Sequence, residues 1–430
     1  MDNVAVVVLD TLRYDEFTSA FDWLPGRRFT SAFSPSHWAV PVHAALFTGR
    51  YPSEVGVHSQ SPDLDCPAPT LAERLSAAGY RTRAFTANPH LRRDDGWARG
   101  FDEFVGYHSL DAYHPDSFDW GEWVDDNTTT GYRRYLDAVW QCLRADCDTV
   151  RSLREGYDLL TRSPADGGAR AVRDRLRATD FGDRELCFVN LADAHPPYYP
   201  PSPGDDPVDV AAADAVTDAS IDLDRARRAY RRSVATLAET YRDIVAELRD
   251  AFDYVITCSD HGELFGEYGM VGHSFGLSPE LTRVPLVVSG PDLEGRENRV
   301  VSLLDVHRTV ADLAGIELDG RGQNLLDDPQ PVDRLVEYHG PPPGQADEFE
   351  RRDAPLDALE RRRSPLWGFV AADGSYAYET HTDGFRTVGE FDGDPQVRLR
   401  NLRADLDIRP VEDESPSDSV RERLQEQGYA

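Results

Sequence analysis

Three short apolar runs in this chain end on a carboxylate or an imidazole, and that recurrence limits the folds open to it. Val4 to Leu9 is continuous, largely β-branched and apolar, and stops at Asp10. Glu185 to Leu191 runs into Ala192-Asp193-Ala194-His195, and Phe252 to Cys258 into Ser259-Asp260-His261-Gly262-Glu263. A run that is apolar throughout, with no polar alternation, suits a strand buried on both faces of a mainly parallel sheet. Arg81 to Thr86 and Val284 to Val288 read as further strands, with helical spacing over Pro69 to Gly79 and Arg225 to Arg249. The rhythm predicts an α/β chain. Open α/β sheets take their ligands at the carboxyl ends of the strands, which is where these acids and histidines fall. Asp10 alone could equally cap a helix.

A second stretch, Ser34 to Pro52, passes from a Ser/Pro loop into a small-apolar helix over Val42 to Phe47 and stops at Thr48-Gly49-Arg50. Pro41 suits a first helical turn, where its missing N–H has no partner to lose, and Gly49 suits a left-handed stop. A loop that ends on a helix N-terminus offers unpaired N–H groups to an anion. The same residues also fit an ordinary capped core helix.

Composition narrows the partners. The 430 residues carry a net charge of −31, and all 46 basic residues are arginine. This is the balance of a protein built for concentrated salt, where ions screen the repulsion among carboxylates. It disfavours general binding to nucleic acid or anionic membranes. The five cysteines are odd in number, have no metal-ligand spacing and suggest no disulfide framework. No segment reads as a membrane span or signal peptide, so the expected location is cytoplasmic.

Asp260 and His261 are adjacent at a strand end, and Gly262 permits the backbone to turn so that both reach one ion. A carboxylate with an imidazole suits Ca, Mg, Mn or Zn. Taken together, Asp10-Thr11-Leu12-Arg13, Pro41-x-His43-Ala-Ala-Leu-Phe-Thr48-Gly49-Arg50-Tyr-Pro52, Asp193-Ala-His195-Pro-Pro-Tyr198, Ser259-Asp260-His261-Gly262-Glu263, Arg283-Val-Pro285-Leu and Ser302-Leu-Leu-Asp305 resemble the sulfatases of the alkaline phosphatase superfamily. The order and rough spacing agree from residue 3 to about 316.

The resemblance implies an alkaline phosphatase-like fold: a mainly parallel central sheet sandwiched by helices, with a smaller C-terminal sheet subdomain. On this basis 1–340 is the catalytic domain, with a helical and aromatic insertion about 96–180. Residues 341–430 hold a linker, Pro341 to Pro365, and the small subdomain, placed over Trp367 to Leu402. The resemblance assigns Asp10, Asp260 and His261 to one divalent cation, calcium first, with Mg, Mn and Zn as alternatives. It assigns His195 and His273 to contact with the anion, and Arg50 to orienting the loop before it, while His43 stands where the family has an arginine. The implied substrate is an anionic small-molecule or glycan sulfate ester. Trp97, Tyr107, Tyr113, Phe118, Trp120 and Trp123 either face a sugar or pack the insertion.

The chain departs from the family at its nucleophile. Two residues before the motif proline the family carries Cys, Ser or Thr, and this chain has Ala39. Covalent attack from a methyl group is impossible. Three accounts stay open: direct attack by water activated by the cation, substitution by Ser36, or a non-catalytic protein that binds an anion or a partner. A phosphate ester, or a two-metal site that also uses Asp193, is a further alternative.

Overall fold

Alternate residues of the first strand serve two different cores. In β1 (Val4–Leu9), Val4, Val6 and Val8 pack into one cluster and Ala5, Val7 and Leu9 into another on the opposite face. This is why the run is apolar at every position. A computed structural model describes residues 2–106, 118, 120, 123, 132–145, 147–161, 167–198, 207–217, 222–328 and 330–411.

The other strands follow in chain order: β2 (Arg27–Phe33), β3 (Arg81–Thr86), β4 (Glu103–Val105), β5 (Glu185–Leu191), β6 (Tyr254–Cys258), β7 (Leu264–Phe265), β8 (Val271–Gly272), β9 (Arg283–Ser289) and β10 (Arg296–Ser302). Eight of them form one sheet in the order β10-β2-β9-β6-β1-β5-β3-β4. Only β9 runs antiparallel to its neighbours in that sheet. The helix Ala39–Thr48 covers one face and the long helix Leu223–Ala251 the other. The mainly parallel, helix-sandwiched sheet expected from the sequence is therefore present. β7 and β8 form a separate ribbon.

Gly49 ends the helix Ala39–Thr48 at φ 66°, as its position suggested. A Cβ there would also lie 2.4 Å from His307 Nδ1, so both backbone and space require glycine.

A second sheet is antiparallel: β11 (Arg334–Tyr338), β12 (Leu366–Val370), β13 (Tyr376–Thr380) and β14 (Gly384–Val388). It begins before the stretch read as a linker, and that stretch folds into two short helices, Gln345–Arg351 and Leu356–Glu360. Asp305 joins the two sheets. Its carboxylate accepts the N–H of Ser302 at 2.8 Å and the Arg334 guanidinium at 2.7 and 2.8 Å.

Sequence reading missed β2, β4 and β10. β10 is an edge strand whose first half, Arg-Glu-Asn-Arg, alternates exposed and half-buried, and β2 beside it is half-buried over Arg27 and Arg28, so neither reads as an apolar run. Tyr132 to Leu160 reads as one helix but is two, Tyr132–Cys142 and Thr149–Thr161. Asp148 separates them by accepting the N–H of Arg151, a cap that starts the second. Trp97, Trp120 and Trp123 are buried, the last two in a cluster with Phe118, so these rings pack instead of facing a sugar. Tyr107 and Tyr113 lie outside the described residues. Among the described residues no helix is long and apolar enough to cross a membrane.

Candidate metal centre and active site

Strand register builds the site. β1 pairs in parallel with β6 through Val8 and Cys258, and with β5 through Leu9 and Leu191. Continuing the first pairing two residues sets Asp10 beside Asp260. The Asp10 N–H donates to Leu191 O at 2.8 Å, which ties the third strand end to the same point.

Asp10, Asp260 and His261 are almost wholly buried, and one ligand atom from each lies within 4.8 Å of the others. Asp260 Oδ1 accepts the N–H of Thr11 at 3.1 Å and of His261 at 2.9 Å. Its Oδ2 has no hydrogen-bond partner, although it is buried. His261 Nδ1–H donates to Gly262 O at 3.0 Å, leaving Nε2 3.6 Å from both Asp10 Oδ1 and Asp260 Oδ2. An orphaned carboxylate oxygen facing a second carboxylate and an imidazole lone pair is a donor set that fits a divalent cation. It is the only such group among the described residues.

Charge follows from burial and neighbours. Burial opposes both carboxylates. At Asp10 the imidazoles of His195, His261 and His43 and the Thr11 hydroxyl outweigh it and hold the carboxyl down to about 2. At Asp260 the repulsion of Asp10 adds to burial and pushes the carboxyl well above its usual range. Thr11 adopts φ 62°, rare for a β-branched residue, and this turn delivers its N–H to Asp260 and its hydroxyl to Asp10 at 2.9 Å.

His195 and His273 come together with this group. Their rings are 5.1 Å apart, and His273 is 4.6 Å from His261. His195 Nδ1 is 2.6 Å from Pro196 O, and a carbonyl can only accept, so that nitrogen carries the proton. His43 is beneath the site. It donates from Nδ1 to Ala39 O at 2.7 Å and accepts the Asn190 amide at 3.3 Å on Nε2. Burial takes its pKa down to about 4, so it is a neutral support and not a cationic replacement for arginine. Arg50 is not brought in. It follows the C-terminal end of the helix that Ala39 begins, beside His307, roughly 15 Å along the axis.

Ala39 occupies the first turn of its helix and is buried. Ser36 does not substitute for a nucleophile, because its hydroxyl is bonded to Glu337 O at 2.7 Å in the second sheet. Among the described residues Asp193 is not part of the group that could hold a metal. Its carboxylate accepts the Ala169 N–H at 3.0 Å at the start of the helix Ala169–Ala178.

Several residues were not singled out from sequence. Asn88 donates to Asp10 Oδ2 at 2.8 Å, and Asn190 approaches the same oxygen at 3.4 Å. His90 has its pKa lowered to about 4 by burial and by His195, which puts it beside the cluster. Glu263 is fully buried, and burial pushes it up to about 7 against the Tyr198 hydrogen bond and the nearby His195 and His261. A signal for two of them existed. β3 ends at Thr86 and runs into Ala87-Asn88-Pro89-His90, the pattern that flagged the other strand ends.

A family model described as Sulfatase matches residues 3–316. Choline-sulfatase of Rhizobium meliloti (strain 1021) is 27% identical over 333 residues, a match covering 68% of this chain and 61% of that protein. An uncharacterized sulfatase of Escherichia coli (strain K12) is 23% identical, over 73% of this chain and 66% of its own length. The chain thus spans less than two thirds of these curated relatives. Among solved structures, the phosphonate monoester hydrolase of Agrobacterium radiobacter aligns with a TM-score of 0.60 at 18% identity, covering 99% of this chain and 94% of that one. A 2-O GAG sulfatase aligns at 0.59 and 15% identity, covering 94% and 90%. At these identities the structural likeness is one of fold.

Proposed function

We propose, from the premise that this chain belongs to the sulfatase family, that the site at the ends of β1, β5 and β6 hydrolyses an anionic sulfate ester of a small molecule or glycan. The observation that carries the reading is the orphaned Asp260 Oδ2 beside Asp10 and His261 Nε2. These three residues would hold the cation. When bound there, a divalent ion polarises an ester oxygen and lowers the pKa of water. One imidazole nitrogen beside two carboxylates moves the balance from calcium, which prefers oxygen, towards manganese or zinc.

With alanine at position 39, the reading requires water as the attacking group and single displacement at sulfur. His195 and His273 lie side by side next to the cation ligands. They are the groups available to pass a proton between the attacking water and the leaving oxygen. Asn88, Asn190 and Thr11 hold Asp10 in place by hydrogen bonds. The names of the relatives, a choline-sulfatase and a 2-O GAG sulfatase, support an ester of a small or sugar alcohol. Ala39 favours a second reading, in which the same site binds an anion without turnover.

The test is turnover of an aryl sulfate and an aryl phosphate in molar salt with added Ca, Mg, Mn or Zn, beside Asp260→Asn. Sulfate turnover that disappears in Asp260→Asn supports the hydrolase. Preference for the phosphate moves the reading to the phosphate-ester branch. Silence on both esters, with anion binding retained, favours the non-catalytic reading.

A further inference from the structure

Two hydrogen bonds behind His273 have no part in the chemistry above. Tyr198 donates its hydroxyl to Glu263 Oε2 at 2.9 Å, and Glu263 Oε1 lies 3.2 Å from His273 Nδ1. Tyr198 and Glu263 are both fully buried. The ribbon sets the pair in place. β7 and β8 are antiparallel with Leu264 opposite Gly272, so the preceding Glu263 comes opposite the following His273. Tyr198 closes the other side from the turn after β5, where its backbone pairs with Val208.

The chemistry of the donors decides the proton positions. Tyr198 has one hydroxyl proton, and it goes to Oε2. With Glu263 in its ionised, acceptor-only form, Oε1 receives the proton of His273 Nδ1. Three neighbouring rings are fixed in the same Nδ1–H form by backbone carbonyls: His43 by Ala39, His195 by Pro196 and His261 by Gly262. His273 differs in that a side chain fixes it, so a substitution can release it without disturbing the backbone. Its Nε2 carries no hydrogen bond among the described residues.

We infer that Tyr198 and Glu263 are positioning residues for His273. They hold its ring as the Nδ1–H tautomer and leave the Nε2 lone pair for the attacking water, beside His195 and His261. The inference rests on the proposed hydrolase for its consequence in rate, but not for the tautomer itself. A ring in the other tautomer would turn an N–H towards the attacking water, which can give up its proton only to a lone pair, and this is the loss expected when a carboxylate behind a catalytic imidazole is replaced.

The experiment is 15N NMR of the full chain labelled at histidine, with the His273 signal identified by its loss in His273→Gln. Ring-nitrogen shifts report which nitrogen carries the proton, whether or not the protein turns over any ester. At alkaline pH, where Glu263 is ionised, the wild type is expected to show Nδ1–H at His273. Glu263→Gln, whose amide can donate as well as accept, is expected to shift that ring towards Nε2–H. Glu263→Asp should restore part of the Nδ1–H population. In the ester assay, kcat should fall about 10- to 100-fold in Glu263→Gln with KM unchanged. An Nε2–H ring in the wild type overturns the inference by itself, even if no variant folds. A ring that stays Nδ1–H in Glu263→Gln overturns it too, whatever the rate does. Absence of turnover in the wild type would remove the hydrolase reading, and the spectrum would still decide the relay.

Discussion

Asp10 and Asp260 stand side by side because Val8 of one strand pairs with Cys258 of the next, and each chain continues two residues beyond the pairing. Two adjoining buried carboxylates, one with an oxygen that nothing satisfies, call for a cation. Elemental analysis of purified protein is therefore expected to find one divalent ion per chain. Asp260→Asn should lose it while keeping its fold, as judged by circular dichroism. Full retention of the ion in that variant would remove the centre as described.

Asn88 is the next residue to test. It donates to the Asp10 oxygen that Thr11 does not use, and so decides which lone pairs remain for the cation. Asn88→Ala should weaken cation binding about 10- to 100-fold, the usual effect of losing a hydrogen bond to a ligand residue. Competition with a coloured chelator measures this directly. Unchanged affinity would mean that Thr11 and Asn190 suffice.

Position 39 can be given back its oxygen. The methyl of Ala39 lies in the first turn of the helix, where the resemblance to the family places a nucleophile. Ala39→Ser is expected to raise aryl-ester turnover above the wild-type level, with a burst of product in pre-steady-state kinetics as the signature of a covalent intermediate. Turnover unchanged and without a burst would show that the helix start no longer faces the ester.

The Ser302-x-x-Asp305 motif is structural. Asp305 ties the helix that follows β10 to Arg334 of the second sheet, and both side chains are almost wholly buried. Arg334→Ala strands a buried carboxylate and should cost about 3–5 kcal/mol of stability. Denaturant titration in the salt used for storage checks it, and a loss below about 1 kcal/mol would mark the pair as replaceable.

Acid sensitivity should have a contribution well away from the metal centre. Burial, with Arg308 and Arg50 nearby, takes the His307 pKa down to about 4. The unfolded chain, with its histidine near the ordinary 6.5, binds the proton first. The neutral ring's contribution is complete above about 6.5 and is lost as the pH falls towards 4, at up to about 1.4 kcal/mol per pH unit. His307→Phe should flatten the dependence of the denaturation midpoint between pH 7 and 5. An equally steep profile would assign the acid lability to other groups.

The sequence by itself determined the strands that carry chemistry. β1, β3 and β5 are apolar or β-branched enough to be read within their bounds, and their ends announced Asp10 and His195, as the end of β6 announced Asp260 and His261. Local pattern sufficed there, because burial on both sides of a strand leaves a signature in consecutive residues. Tertiary structure decided what depends on register between distant segments. Only pairing across the sheet puts Asn88 and Asn190 on Asp10, and only the ribbon puts Glu263 opposite His273. It also removed Arg50, since a helix of ten residues separates the two ends of one continuous motif. Spacing along a chain records which residues share a strand or helix, while a site is made by hydrogen bonds between residues that the chain keeps far apart.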